Sequence, residues 1–419
     1  MAQIPVSVSM RRENLWRRGD FLKLWLATTV SLLGSEFTGL AIPLIAVLTL
    51  GATPAQMGFL DAARYLPFLL IGLFAGVWAD RHRKRPILIG ADLCRALLLL
   101  SIPAAAVLGA LTLLQLYLVI LLVGGLSVFF DVAYQAYLPA LVERDQLGEA
   151  NGKLESGRSG AKLIGPALAG IVIQIVSAPL AIVLDVSSFV ASAVFLGIVR
   201  QSEADATGKS RAPLLAEARE GLSVVFGDPV LRSIVGCTAS LNFFIMAVNA
   251  LYVLYATRGL GVTPGSLGLI LGLGNAGTLA GALVTGRVAR RLGFGRLLII
   301  ASGLIAAGHV PILLATRANA VPVLTAGYVI FCFASMLYGI TSVSVRQALI
   351  PLHLQGRAAA SSRVLIYGII PLGGIVGGLA GQSLGTWTTI ALCTVGMLAS
   401  TVLILRAPIL GLARLPTPP

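Results

Sequence analysis

Charge is what this sequence has least of: Asp, Glu, Lys and Arg make up 11% of its 419 residues, where soluble domains carry about a quarter. Hydrophobic residues supply 57% and the mean hydropathy is +0.91, so the solvent for most of the chain is lipid. The four cysteines, at 94, 237, 332 and 393, stand inside apolar stretches without paired spacing. That excludes a disulfide framework or a cysteine-based metal site and leaves them as small packing residues. Three scattered histidines, at 82, 309 and 353, offer no metal cluster. There is no Gly-x-x-x-x-Gly-Lys-Ser/Thr loop, no nucleophile elbow and no pair of carboxylates in a soluble cleft. An enzyme, an ATP-driven device within the chain and a bound cofactor are therefore not expected.

Basic residues number 31 against 17 acidic. In a soluble protein that surplus would point to nucleic acid; here it is topogenic. A spanning helix needs about 20 apolar residues, and apolar runs broken by turn or charge signals place twelve helices near 21–49, 55–79, 86–109, 112–138, 153–177, 179–199, 229–257, 264–289, 296–316, 320–349, 357–383 and 385–406. The organisation expected is an arm (1–20), a six-helix bundle (21–199), a polar linker (200–228), a second six-helix bundle (229–406) and a tail (407–419). No small-residue cleavage site follows the apolar run from Phe21, so the first helix is expected to stay as an anchor. Bases gather in the arm, in the loop with Arg81, Arg83, Lys84 and Arg85, and in the loop with Arg287, Arg290, Arg291 and Arg296, while the opposite loops hold only Arg258 and Arg317. By the positive-inside rule both termini and the linker are cytoplasmic. Within the linker, Leu214, Leu215, Leu222, Val225 and Phe226 suit either a helix lying along the membrane surface or a solvated spacer.

The two halves repeat. Tyr137-Leu-Pro139-Ala-Leu followed by Gly165-Pro166-Ala-Leu-Ala-Gly170 has a counterpart in Ala348-Leu-Ile-Pro351-Leu followed by Pro371-Leu-Gly373-Gly374. Gly76-Val-Trp-Ala-Asp80-Arg81 is likewise echoed by Gly286-Arg-Val-Ala-Arg290-Arg291. Gly76, Asp80 and the bases Arg81 to Arg85 resemble the signature loop between the second and third helices of major facilitator transporters. Gly165-Pro166 with Gly170 resembles the antiporter motif of that superfamily. Arg346-Gln-Ala-Leu-Ile-Pro351, Gly356-Arg357 and Glu220-Gly-Leu are similar to the branch holding enterobactin-type and macrolide-type exporters. The resemblance implies an all-α membrane protein with two pseudo-symmetric six-helix bundles and a midplane site between them. It also implies bacterial plasma-membrane residence, a small-molecule cargo and antiport driven by protons, carried out in membrane lipid by a monomer without nucleic acid. Gly76, Asp80, Arg81 and Arg85 would form a cytoplasmic gate, with Arg290 standing where a symmetric latch would need an acid. A dedicated exporter of one metabolite, such as a siderophore or antibiotic, and a non-transporting membrane sensor are the alternatives.

A charge at the bilayer centre costs about 2.5–3.5 kcal/mol on insertion scales, so each needs a reason. Glu36 lies midway along the first helix with no base within a turn and is the leading candidate for proton coupling, a structural polar contact being the other reading. Asp131, beside Tyr134 and Gln135, is the second, with a gate contact as its alternative. Asp61 and Arg64, Asp92 and Arg95, and Glu155 and Arg158 are each three apart, a spacing that permits self-neutralising pairs. Asn242, Asn249 and Tyr252 are candidates for an apolar, aromatic cavity that suits lipophilic cargo. Gly373, Gly377, Gly381 and Gly385 form a stripe suited to close helix contact.

Overall fold

The structure, a computed structural model, describes residues 15–199, 214–352, 354–405 and 409, with side chains for all of these except 73–77, 79, 80, 214–219, 221 and 360. In chain order the helices are α1 (Gly19–Leu44), α2 (Pro54–Asp80), α3 (Lys84–Val107), α4 (Leu113–Leu141), α5 (Leu147–Val176), α6 (Ala178–Gly197), α7 (Leu214–Gly227), α8 (Pro229–Leu254), α9 (Pro264–Leu292), α10 (Phe294–Ala307), α11 (Val310–Leu314), α12 (Ala320–Leu349), α13 (Gln355–Gly368), α14 (Ile370–Leu384) and α15 (Thr386–Leu405). Two crossings are broken: α10 passes into α11 at Gly308 and His309, and α13 into α14 at Ile369. Pro311 and Pro371 open the second pieces, and a proline there removes a backbone donor and kinks the rod. Eleven crossings among the described residues are long and apolar enough to span a bilayer. The 27-residue α2 makes the twelfth.

Helix α5 starts at Leu147, six residues before the apolar run suggests, because Lys153 and Glu149 pair at 3.1 Å across one turn and carry the helix past the apolar region. Helix α7 is not a free solvated spacer. Val225 is buried with Leu231, Ile350 and Ala358, and Glu220 forms an ion pair with Arg357, so α7 docks on α8 and α13.

Within the first bundle α1 packs on α5 and α6, and α2 and α3 pack on α4; within the second, α9 packs on α12 and α8 on α14 and α15. The bundles meet through α5 on α9 and α2 on α14, two crossings that the pseudo-symmetry exchanges. Both are made by glycine. A methyl added at Gly58 would lie 2.8 Å from Gly378 Cα, and one at Gly170 the same distance from Gly268 Cα, so only hydrogen allows these backbones to touch. The stripe on α14 is in fact two faces. Gly381 and Gly377 lie on Leu251 and Ala247 of α8, Gly374 and Gly378 on α2, and Gly385 falls beyond the helix end at φ +87°.

The two crossings sit where α2 and α9 begin and α5 and α14 end, the end of the molecule opposite to the start of α1. A further repeat is written there: Leu50-Gly51-Ala52-Thr53-Pro54 and Leu260-Gly261-Val262-Thr263-Pro264. Each follows a five-residue π-turn, Ile45–Thr49 or Tyr255–Gly259. Gly51 and Gly261 take φ of +70° and +72°, open to glycine without strain. The Ala52 and Val262 amides donate back to Ala46 and Ala256 carbonyls at 2.8 and 2.9 Å. The copies differ in one useful side chain. Arg258 of the second donates to the Val47 and Ala52 carbonyls of the first, at 2.5 and 2.9 Å, and so ties the bundles together at this end.

Candidate functional site

On the other side of those crossings lie three neighbouring cavities. The largest, about 640 Å³, runs between the bundles and is lined by α1, α2, α4, α5, α6 and α8, with Asn249 and Tyr367 facing the charged residues Asp61, Arg64, Arg158, Lys162 and Asp185. A cavity of about 350 Å³ shares Ser35, Ser127 and Arg158 with it and reaches Asn151 in the first turns of α5. A third, about 440 Å³, shares Tyr367 and reaches Gln347 and Gln355 at the α12–α13 turn. The linings thus extend toward the end that carries the start of α1, while the opposite end is closed by glycine crossings and Arg258.

Glu36 stands at the meeting of the bundles but outside these linings, although Ser35 and Gly39 on either side belong to the largest. Its stem lies across Gly165: a methyl there would come within 2.6 Å of Glu36 Cγ and 2.7 Å of Cβ. The Gly-Pro motif therefore makes room for the acid. Among the described residues Glu36 forms no ion pair; the cations whose fields reach it, Arg64 and Lys162, come from α2 and α5 and lie far from it in sequence. Its own field reaches Tyr328 of α12. Asn275 of α9 donates to the Lys162 carbonyl at 2.8 Å, a polar tie between bundles beside the same acid. Gly165→Ala is expected to destabilise the protein by about 1–3 kcal/mol, as overpacking does, while Gly160→Ala, where a methyl meets open space, is neutral. Thermal unfolding of the two variants in detergent checks this, and equal melting temperatures would remove the contact.

The remaining candidates scatter. Asp131 lines the 350 Å³ cavity with Arg95, Glu155 and Arg158. Asn249 lines the largest cavity and Asn242 the third, Asn242 donating to the Ile366 carbonyl at 3.4 Å. Tyr252 is buried, stacked 6.3 Å from Tyr328, and is not among the residues lining these three cavities. At the end of α2, the side-chain positions of Gly76 and Asp80 lie outside the described residues, and Arg81 is exposed in the turn that follows. Arg85 donates from Nε to the Leu196 carbonyl at 2.9 Å and from Nη2 to that of Gly197, a cation on the C-terminus of α6 where the helix dipole favours it. Gly165, Pro166 and Gly170 are buried on α5.

Of the three short-range pairs, Asp92 and Arg95 are joined and buried, with Ser192 donating to Asp92 at 2.6 Å. The Arg95 guanidinium sits between the Phe130 and Phe189 rings, 4.4 Å from each centroid, a desolvated cation–π arrangement. Glu155 and Arg158 pair at 3.7 Å. Asp61 and Arg64 do not pair within 4 Å among the described residues, and Asp61 Oδ2 is buried without a hydrogen-bond partner beside Gly374. Sequence reasoning therefore undervalued Asp61, Arg64 and Lys162. The signal was a charge inside an apolar run, which for Asp61 and Arg64 a spacing of three residues masked.

The Major Facilitator Superfamily model matches residues 24–370. Macrolide efflux protein A of Streptococcus pyogenes is 26% identical over 66% of this chain and 68% of its own. Multidrug efflux pump Tap of Mycolicibacterium fortuitum is 26% identical over 91% and 94%. Among solved structures, a bacterial homologue of the iron transporter ferroportin in its inward-facing state covers 94% of this chain and 99% of its own at TM-score 0.76 and 16% identity. Its outward-facing state covers 92% and 98% at 0.59 and 17%, a likeness of fold alone. Twelve crossings, two exchangeable bundles and a family match over most of its length lead to one assignment: the chain belongs to the Major Facilitator Superfamily.

Proposed function

We propose that this protein exports small, largely lipophilic molecules across the bacterial plasma membrane by alternating access, with protons entering in exchange. The observation that carries the reading is the cavity between the bundles, closed by glycine crossings and Arg258 at one end and lined toward the other. Under the positive-inside rule the lined end is cytoplasmic, so cargo loads from the cell interior. The higher TM-score to an inward-facing than to an outward-facing neighbour supports the same state, and relatives named as efflux proteins support the direction. Glu36, seated on the glycine of the antiporter-like motif and facing both bundles, is the group assigned to coupling, with Asp131 and Asp61 in adjoining positions. Arg85, by holding the end of α6 to the start of α3, stiffens the cytoplasmic rim where a gate would close.

Cells producing the protein are expected to hold less N-phenyl-1-naphthylamine, a lipophilic fluorescent dye, than cells with an empty vector, and a protonophore should erase the difference. Equal dye accumulation in both would overturn lipophilic export. Reduced accumulation that survives the protonophore would overturn proton exchange.

A further inference from the structure

All 17 acidic residues precede Pro229; from there to the end the sequence holds twelve arginines and neither Asp nor Glu. The second bundle therefore has no carboxylate of its own with which to neutralise a cation inside the membrane. Most of its arginines lie in loops or at helix ends, as topology asks; Arg346, in the last turn of α12, and Arg363, within α13, are the two that share a cavity. Both line the 440 Å³ cavity, Arg346 from the last turns of α12 and Arg363 from the middle of α13, together with Asn242, Gln347, Tyr338 and Ser335. They stand within each other's field. Arg346 is half-buried and donates Nε to the Ser342 carbonyl at 3.3 Å, leaving its Nη groups without a partner among the described residues. The nearby acid of the linker helix, Glu220, is taken by Arg357. Two like charges facing one partly desolvated cavity repel and lose hydration, and a guanidinium presents a planar fork of donors that suits a carboxylate, phosphate or sulfonate. Tyr367 belongs to this cavity and to the largest one, so a ligand held here extends directly toward the apolar wall of Met57, Leu60, Phe68 and Phe189.

We propose that Arg346 and Arg363 form a subsite for the anionic group of an amphiphilic cargo whose apolar part lies in the space between the bundles. The proposal rests on the transporter reading above and adds a charge class to it. The test uses purified full-length protein in phosphatidylcholine nanodiscs and two probes on one scaffold: 8-anilinonaphthalene-1-sulfonate, which carries a sulfonate, and N-phenyl-1-naphthylamine, which does not. Fluorescence titrations, corrected with empty discs, are run on the wild type, Arg346→Gln, Arg363→Gln, the double variant and Arg346→Lys. The double variant is expected to bind the sulfonate probe about tenfold or more weakly, the scale of losing charge-assisted hydrogen bonds, with affinity for the uncharged probe unchanged; Arg346→Lys should recover part of the loss. Unchanged sulfonate binding in the double variant overturns the subsite, as does an equal loss for both probes, which would make the arginines structural. If phosphatidylglycerol in the discs abolishes the arginine-dependent binding, the site holds a lipid headgroup and the cargo assignment falls. Failure of dye export in cells overturns the transporter reading alone, since binding in discs is scored separately.

Discussion

Glu36→Gln is expected to leave the protein folded and able to bind dye, yet unable to hold a dye gradient. Glutamine keeps the shape that rests against Gly165, so packing at the α1–α5 contact survives while the exchangeable proton is removed. The size of the effect follows from the driving force. One charge moved through 100 mV is worth about 2.3 kcal/mol, a concentration ratio of roughly fiftyfold, for an uncharged cargo exchanged with one proton. The wild type in proteoliposomes should approach such a ratio under an imposed potential, and the variant should settle near unity while still equilibrating dye down a gradient. Asp131→Asn, altering a side chain in the 350 Å³ cavity away from the Gly165 contact, should have the smaller effect. Full uphill transport by Glu36→Gln would sink the assignment and direct attention to Asp61, whose buried Oδ2 lacks a partner.

The contrast between Glu36 and its surroundings shows what sequence conveys and what it withholds. Twelve crossings were legible because lipid forces each span to be long and apolar, and the boundary at α12, residues 320–349, falls where expected. Glycine and proline motifs were legible as close-contact sites, but not their partners: that Gly165 receives Glu36, or that Gly58 meets Gly378, depends on rotations of helices that hydrophobicity on all sides does not fix. Spans this uniformly apolar carry little amphipathic signal, so the side on which Tyr252 lies could not be read, and the structure turns it into the core against Tyr328. Asp61 and Arg64 illustrate the opposite error. Spacing of three residues permits an ion pair, yet in the fold the two side chains line one cavity without coming within ion-pair distance. Docking of α7 escaped notice because its hydrophobic residues fit a membrane surface as well as a protein one. The absence of acids after Asp228 is legible in the sequence but hidden by a total that averages over both halves.

Bulky residues at the glycine crossings are expected to trap the transporter open at the end that Arg258 now closes. At Gly170 an added Cβ would lie 2.6 Å from the Pro264 carbonyl oxygen, and at Gly378 2.7 Å from Gly58 Cα and 2.8 Å from the Pro54 carbonyl oxygen; these are backbone atoms, which cannot swing aside as a side chain tip would. Overpacking of this kind costs about 1–3 kcal/mol per site. Reversing a two-state equilibrium from 99:1 to 1:99 takes about 5.5 kcal/mol, so Gly170→Val or Gly378→Val alone should shift the population only in part. The double variant acts on both crossings, and the contacts of Arg258 with Val47 and Ala52 and of Gln174 with Thr263 and Gly265 then oppose opening. In a cysteine-free background with Asn249→Cys, a side chain position on the largest cavity, a membrane-impermeant thiol reagent applied from outside the cell should label the double variant much faster than the parent, and export should be lost. Labelling that stays as slow as in the parent would mean that the far end yields elsewhere than at these glycines. Fast labelling combined with intact export would mean that closing this end is not a step of transport.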